Sequence, residues 1–164
     1  MSDDSAAWEA RLEALWLRLD ELDAADFVVR VEALTNELPA GSAVALFERA
    51  CAQDSTGHPD QALPLYDAAL AAGLTGLRRR RAAIQMASSL RNLGDPARAA
   101  ALLTAELDAP SDTLDGAVRA FLALALVDLG RERKAVAQSL TALAHYLPRY
   151  NRSLARYALA LKAR

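Results

Sequence analysis

The chain has few of the residues that build covalent or metal-dependent structure. Its 164 residues include one cysteine, Cys51, so no intrachain disulfide can form. The two histidines, His58 and His145, are far apart and have no Cys, Asp or Glu at ligand spacing around them, which argues against a zinc site. No uncharged run approaches the roughly 18 residues of a membrane-spanning helix. The acidic N-terminus does not resemble a signal peptide. A soluble, cytoplasmic protein without metal or cofactor is expected.

Motifs that carry catalysis are also missing. There is no Gly-x-Ser-x-Gly sequence, no phosphate-binding glycine loop and no dinucleotide fingerprint. The basic residue nearest to Cys51 is Arg49, which should face another side of the same helix. The sequence therefore predicts a protein with no catalytic residues, which is not an enzyme.

A helical repeat is what the sequence does contain. Hydrophobic residues make up 53 %, much of it Ala and Leu, and aromatic residues only 5 %, which favours helix throughout. Three turns recur along the chain, at Gly57-His58-Pro59, Gly94-Asp95-Pro96 and Gly130-Arg131-Glu132. Their glycines lie 37 and 36 residues apart. This spacing predicts three consecutive two-helix repeats.

The repeats also agree in where small residues stand. Such residues let the two helices of a hairpin approach closely. Seven residues before the turn glycines stand Ala50, Ala87 and Ala123. Five residues after them stand Ala62, Ala99 and Ala135. Twelve residues after them stand Ala69, Glu106 and Ala142.

These features resemble the tetratricopeptide repeat, and more narrowly the bacterial group-5 tetratricopeptide family. The resemblance rests on AQDSTGHPDQALPLYDAALAAGL (residues 52–74) and RRRAAIQMASSLRNLGDPARAAALL (residues 79–103) and covers about residues 42–147. It implies an all-α superhelix of about nine antiparallel helices, a solenoid whose concave groove is lined by the first helix of each repeat. Such proteins are scaffolds that bind peptides or protein surfaces. Glu106 departs from the family, which usually has Ala there.

Three segments are expected to form one globular unit. Residues 1–41 form an acidic helical hairpin, residues 42–147 hold the three repeats, and residues 148–164 form a capping helix that closes the stack. The first helix is predicted to run to about Leu22. Asp23 and Ser42 are the expected caps of the second and third helices, and Ser111 or Asp112 that of the seventh.

The family's register assigns side chains to the groove. We expect Arg81, Arg91 and Asn92 to supply polar contacts to a bound acidic segment, and Phe47, Ile84 and Leu124 to line apolar pockets. The known tetratricopeptide clamp for C-terminal carboxylates is not expected, because Phe47 and Cys51 stand where that clamp has Lys and Asn. Further groove positions are Asp54, Ser88, Val127 and Asp128.

Charge is distributed unevenly along the chain. Residues 1–41 contain 10 acidic and 3 basic side chains, and residues 42–164 contain 11 acidic and 16 basic ones. Arg78 to Arg81 stand at the start of the fifth helix, where cations oppose the helix dipole. Two interpretations are open for this cluster, an anion-binding groove and a solvated junction. We favour the solvated junction for Arg78 to Arg80, and the groove for Arg81 and Arg91.

Two further alternatives concern the chain ends. The acidic hairpin could cover the basic groove of its own chain or of a second copy, giving a homodimer, but a hairpin stacked on the end of the solenoid is the preferred interpretation. The C-terminal residues combine Arg149, Arg152 and Arg156 with Tyr146, Tyr150 and Tyr157, as nucleic-acid binders do. A net charge of −2 makes a nucleic-acid partner unlikely for the chain as a whole.

Overall fold

Nine α-helices make up the regular structure of residues 3–162, which are the residues that this computed structural model describes, and no strand occurs among them. A short 3-10 turn, Leu19–Glu21, follows the first helix. The helices are α1 Asp3–Trp16, α2 Ala24–Thr35, α3 Ala43–Ser55, α4 Pro59–Ala71, α5 Gly76–Asn92, α6 Pro96–Glu106, α7 Asp115–Asp128, α8 Glu132–Ala144 and α9 Asn151–Lys162.

The chain divides into two compact units after Arg78, in the first turn of α5. The N-terminal unit, residues 1–78, contains α1 to α4. The C-terminal unit, residues 79–164, contains the rest of α5 and α6 to α9. Within each unit, helices that follow one another in sequence pack together, as α3 does with α4 and α7 with α8. This neighbour-to-neighbour packing is typical of helical repeats.

The three repeat turns have one backbone geometry. Gly57, Gly94 and Gly130 have φ angles of +88°, +87° and +66°, a region that side-chain-bearing residues rarely adopt. In each turn the glycine N–H donates to the carbonyl three residues back, and the next N–H donates to the carbonyl five residues back. This pair of bonds is the Schellman motif, which satisfies carbonyls at the end of a helix. The turn glycines therefore set both the ends of the first helices and the period of the repeat.

Local capping chemistry explains several other helix ends. Asp23 accepts hydrogen bonds from the N–H groups of Ala25 and Asp26, and Ser42 Oγ accepts one from the N–H of Ala45. Both predicted caps are thus confirmed. Proline occupies the first position of α4 and of α6, where its missing N–H costs nothing.

The core of the N-terminal unit combines apolar contacts with a few specific polar ones. Leu15, Phe27, Val31 and Ala52 form a buried cluster, and the ring of Trp16 meets Phe27 edge to face at 5.0 Å between centroids. These contacts join α1, α2 and α3. The N-terminal hairpin is therefore packed against the first repeat within this unit.

Small residues fill the interior of the repeats, as the alignment predicts. All nine aligned positions are buried, including the one that holds Glu106. Alanines between helices let their backbones approach closely, which explains how a core with few aromatic residues is formed.

Two helix boundaries differ from the predictions. The helix α1 ends at Trp16 rather than near Leu22, because the N–H of Arg18 bonds to the carbonyl of Leu15, three residues back, and the chain tightens into the 3-10 turn. The helix α7 begins at Asp115, and neither Ser111 nor Asp112 caps it. Asp112 instead accepts from the N–H of Leu114, in the loop before the helix.

Candidate binding surface on the C-terminal unit

Arg78 forms hydrogen bonds with two carboxylates of its own unit. Its Nη1 and Nη2 donate to the two carboxylate oxygens of Glu9, at 2.9 and 2.6 Å, and its Nε donates to Glu48 at 2.9 Å. Glu48 is buried and also accepts from the indole N–H of Trp16 at 3.1 Å. The bond to Glu9 is the main cause of the raised pKa of Arg78. The pairing ties the acidic hairpin and α3 to the start of α5.

Arg80 is the centre of a second network, in the C-terminal unit. Its side chain is only 5 % exposed. It donates to the backbone carbonyls of Pro110 and Glu106 at 2.8 and 3.2 Å, and to Asp115 at 2.7 Å. The Asp112 carboxylate lies 3.0 Å away. One guanidinium thus fixes the end of α6, the following loop and the start of α7.

These networks overturn the solvated-junction interpretation of Arg78 to Arg80. Arg79 bonds to the buried carboxylate of Glu106 at 2.6 Å, so all three arginines have acidic partners inside their own unit. Glu106, which replaces the family's usual Ala, is explained in the same way, as a partner of Arg79 and a neighbour of Arg80 at 3.8 Å. Carboxylates distant in sequence offset the unfavourable interaction of these arginines with the positive end of the helix dipole.

The helices α5 and α7 come together at their C-terminal ends. Arg91 of α5 donates a short hydrogen bond from Nε to the carboxylate of Asp128 on α7, and both side chains are about one-third exposed. Asn92 is exposed and Ser88 is half-buried on α5. We call the surface formed by Arg81, Ser88, Arg91, Asn92, Leu124, Val127 and Asp128 the α5–α7 face.

Apolar side chains stand beside the ion pair on this face. Leu124 and Val127 of α7 are 45 % and 51 % exposed. Arg81, in the second turn of α5, is also exposed. The face therefore combines cationic, amide and apolar groups.

The remaining predicted groove residues are placed differently. Phe47 is fully buried in the N-terminal unit, where its ring packs against Tyr66 at 6.1 Å between centroids. Ile84 of α5 is also buried, and Asp54 of α3 is half-buried. Neither Phe47 nor Ile84 is an accessible pocket wall, which differs from the expectation for these two apolar residues. Of the three predicted apolar groove residues, Leu124 is the exposed one.

A cavity of about 260 Å³ lies between the start of α7 and the end of α8. Asp112, Asp115, His145 and the ring of Tyr146 line it. Ser111 donates to Asp115 at 2.6 Å, and this bond, more than the neighbouring Arg80, lowers the pKa of the Asp115 carboxyl. Because both carboxylates already hold Arg80, the cavity offers little uncompensated charge.

The described residues include neither a metal-binding cluster nor a membrane-spanning helix. No group of three or more His, Cys, Asp or Glu side chains within residues 3–162 is arranged to hold a metal ion. In the same span, no helix is long and apolar enough to cross a membrane.

Comparison with known proteins identifies the family. The family model for the tetratricopeptide repeat, group 5, matches residues 43–161. The chain therefore belongs to the tetratricopeptide repeat family, and the all-α helical-repeat fold class is confirmed. The match extends through most of α9. Proteins of this family are typically non-enzymatic modules that mediate protein–protein interactions. Neither the curated proteins nor the solved structures include a significant match.

Proposed function

We propose that this chain is a non-enzymatic scaffold that binds a peptide or protein segment carrying acidic residues on the α5–α7 face. The observation that carries the proposal is the Arg91–Asp128 pair, which is accessible and stands beside the exposed Leu124 and Val127. α5 and α7 are the first helices of consecutive repeats, and first helices line the concave face in this family.

Asp128 has a defined role in this proposal, as an internal competitor. A carboxylate of the bound segment takes its place on Arg91, and the planar guanidinium suits that exchange because it binds carboxylates through paired hydrogen bonds. Asn92 donates to the backbone of the segment. Leu124 and Val127 contact its apolar side chains. Arg81 adds a second cationic contact ten residues before Arg91 along α5, which is almost three helical turns.

The arginines that fix the fold are excluded from recognition. Arg78, Arg79 and Arg80 hold carboxylates of their own chain, so a partner would have to break these partly buried pairs to bind them. In this proposal the selectivity for acidic segments comes from Arg91, whose pair with Asp128 is accessible, and from the exposed Arg81.

A peptide selection tests the proposal directly. A displayed library of random peptides is selected on the full chain, and one enriched peptide is titrated while backbone amide resonances are followed by NMR. We expect acidic residues to be enriched, and the largest shifts in α5 and α7. Arg81→Ala and Asn92→Ala should each weaken binding several-fold. The matched control is Arg98→Ala, an exposed arginine on α6. Selected peptides without acidic enrichment, or shifts confined to other helices, would refute the proposal.

A further inference from the structure

The last two helices carry positive charge that the rest of the described chain does not neutralise. Ten arginines between Arg11 and Arg119 each bond to an acidic or polar group. By contrast, six cationic side chains between residues 131 and 156 form no ion pair with any residue in 4–161. They are Arg131, Arg133, Lys134, Arg149, Arg152 and Arg156.

The start of α9 repeats the electrostatic conflict seen at the start of α5. Arg152 and Arg156 are four residues apart, so two like charges share one side of the first turns, at the positive end of the helix dipole. At α5, carboxylates from elsewhere in the chain resolve the conflict. At α9, the residues that the structure describes supply no carboxylate.

Apolar and aromatic side chains accompany the arginines. Tyr150 and Tyr157 are 79 % and 59 % exposed, and Leu159 is 60 % exposed. The Arg156 guanidinium lies 5.4 Å from the centre of the Tyr157 ring. We call these side chains, with Arg149 and Arg152, the α9 surface. Tyr and Arg are the residues most enriched at energetically important positions of protein interfaces.

The other half of the chain has the complementary composition. Residues 1–78 contain 14 acidic and 5 basic side chains, a net charge of −9, and residues 79–164 contain 7 acidic and 14 basic ones, a net charge of +7. Residues 1–78 also have exposed apolar side chains. Leu17 is close in sequence to Glu13 and Asp20, and Val29 is close in sequence to Glu32. None of these three carboxylates forms an ion pair within residues 3–162.

We propose that the α9 surface binds the acidic α1–α2 hairpin of a second copy of this chain. Charge complementarity and the matching exposed apolar groups select this occupant. A nucleic acid matches the arginines and tyrosines equally well, but a polyanion is repelled by the half of the chain with a net charge of −9. The two surfaces differ, so the contact is head-to-tail and leaves one acidic and one basic surface open for further copies. Its strength falls as salt rises, because the charges are at the surface.

Complementary charge reversals test this arrangement. The basic-reversed variant is Arg149→Glu, Arg152→Glu, Arg156→Glu, and the acidic-reversed variant is Glu13→Lys, Asp20→Lys, Glu32→Lys. All six side chains are exposed and make no ion pair among the described residues, so folding, checked by circular dichroism, is expected to be retained. The control is Asp60→Lys, Asp67→Lys, which changes two exposed carboxylates of α4.

Sedimentation velocity at about 0.05 M and about 0.5 M salt distinguishes the outcomes. The wild type and the control should show a mass that rises with protein concentration at low salt and falls to that of the monomer at high salt. Each reversed variant alone should be monomeric. Their equimolar mixture should associate again, because the intact acidic hairpin of the basic-reversed variant meets the intact α9 surface of the acidic-reversed variant.

The proposal therefore requires that the two variants associate with each other in that mixture, although neither associates alone. A wild type that is monomeric at low salt would overturn it, as would reversed variants that associate as the wild type does. Salt-sensitive binding of a single-stranded oligonucleotide by a monomeric wild type, lost in the basic-reversed variant, would assign the α9 surface to nucleic acid instead. None of these results depends on whether the α5–α7 face binds a peptide.

Discussion

Replacing Arg80 by Ala should destabilise the C-terminal unit severely. The guanidinium is almost fully buried and contacts two backbone carbonyls and the carboxylates of Asp112 and Asp115. Its loss removes a donor from each of those carbonyls, of which that of Glu106 keeps the N–H of Ala109, and leaves the buried Glu106 carboxylate with Arg79 as its remaining cation. Removing one partner of a buried ion pair typically costs about 3–5 kcal/mol. For a chain of this size, that corresponds to a fall in Tm of about 6–20 °C.

Thermal unfolding followed by circular dichroism measures the effect. The matched control is Arg98→Ala, whose side chain is 70 % exposed and lies 3.7 Å from Asp95, and which should change stability by less than about 1 kcal/mol. Adding Glu106→Ala to the Arg80 variant should recover part of the lost stability, because it removes the under-compensated buried carboxylate and restores the residue usual in the family. If Arg80→Ala and Arg98→Ala unfold at the same temperature, the Arg80 network does not stabilise the C-terminal unit.

Two further predictions follow from the turns and from the Asp115 carboxyl. Gly94→Ala should lower the free energy of unfolding by about 1–2 kcal/mol, because φ is +87° and nothing lies within 4 Å of the added Cβ, so that only the backbone is strained. The control is Gly116→Ala within α7, which displaces only the exposed Tyr146 ring and should not destabilise the chain. Equal losses of stability for the two variants in urea unfolding would contradict this prediction. The lowered pKa of Asp115 means that its contribution to stability is present above the ordinary Asp pKa of about 4 and is lost as pH falls through the lower folded-state value. Asp115→Asn should therefore flatten the fall of Tm on acidification below pH of about 4, and an unchanged acid profile would exclude Asp115 as a contributor.

Local rules were sufficient to predict much of the fold. The repeat glycines, the caps Asp23 and Ser42 and the buried small positions all depend on residues close in sequence, where capping and backbone preferences act directly. The late start of α7 could not be predicted in this way. Its cause is non-local, since Asp112 and Asp115 are held by Arg80, more than 30 residues earlier.

The roles of the arginine cluster were beyond a local interpretation for the same reason. The conflict with the helix dipole correctly marked residues 78–80 as unusual, but their partners lie between 26 and 69 residues away in sequence. Arg91 stands three residues before Gly94, and Asp128 stands two residues before Gly130. Their near-equivalent positions in consecutive repeats are the sequence signal that could have indicated their pairing.

The affinity of one selected acidic peptide for three versions of the chain tests the proposed function most directly. The measurement is a calorimetric titration of the wild type, Asp128→Asn and Arg91→Gln at one salt concentration. If Asp128 competes with the bound segment for Arg91, the first variant should bind about three- to tenfold more tightly and the second more weakly by a similar factor. Weaker binding by both variants would mean that the ion pair only supports the fold, and unchanged affinities would remove the α5–α7 face as the site.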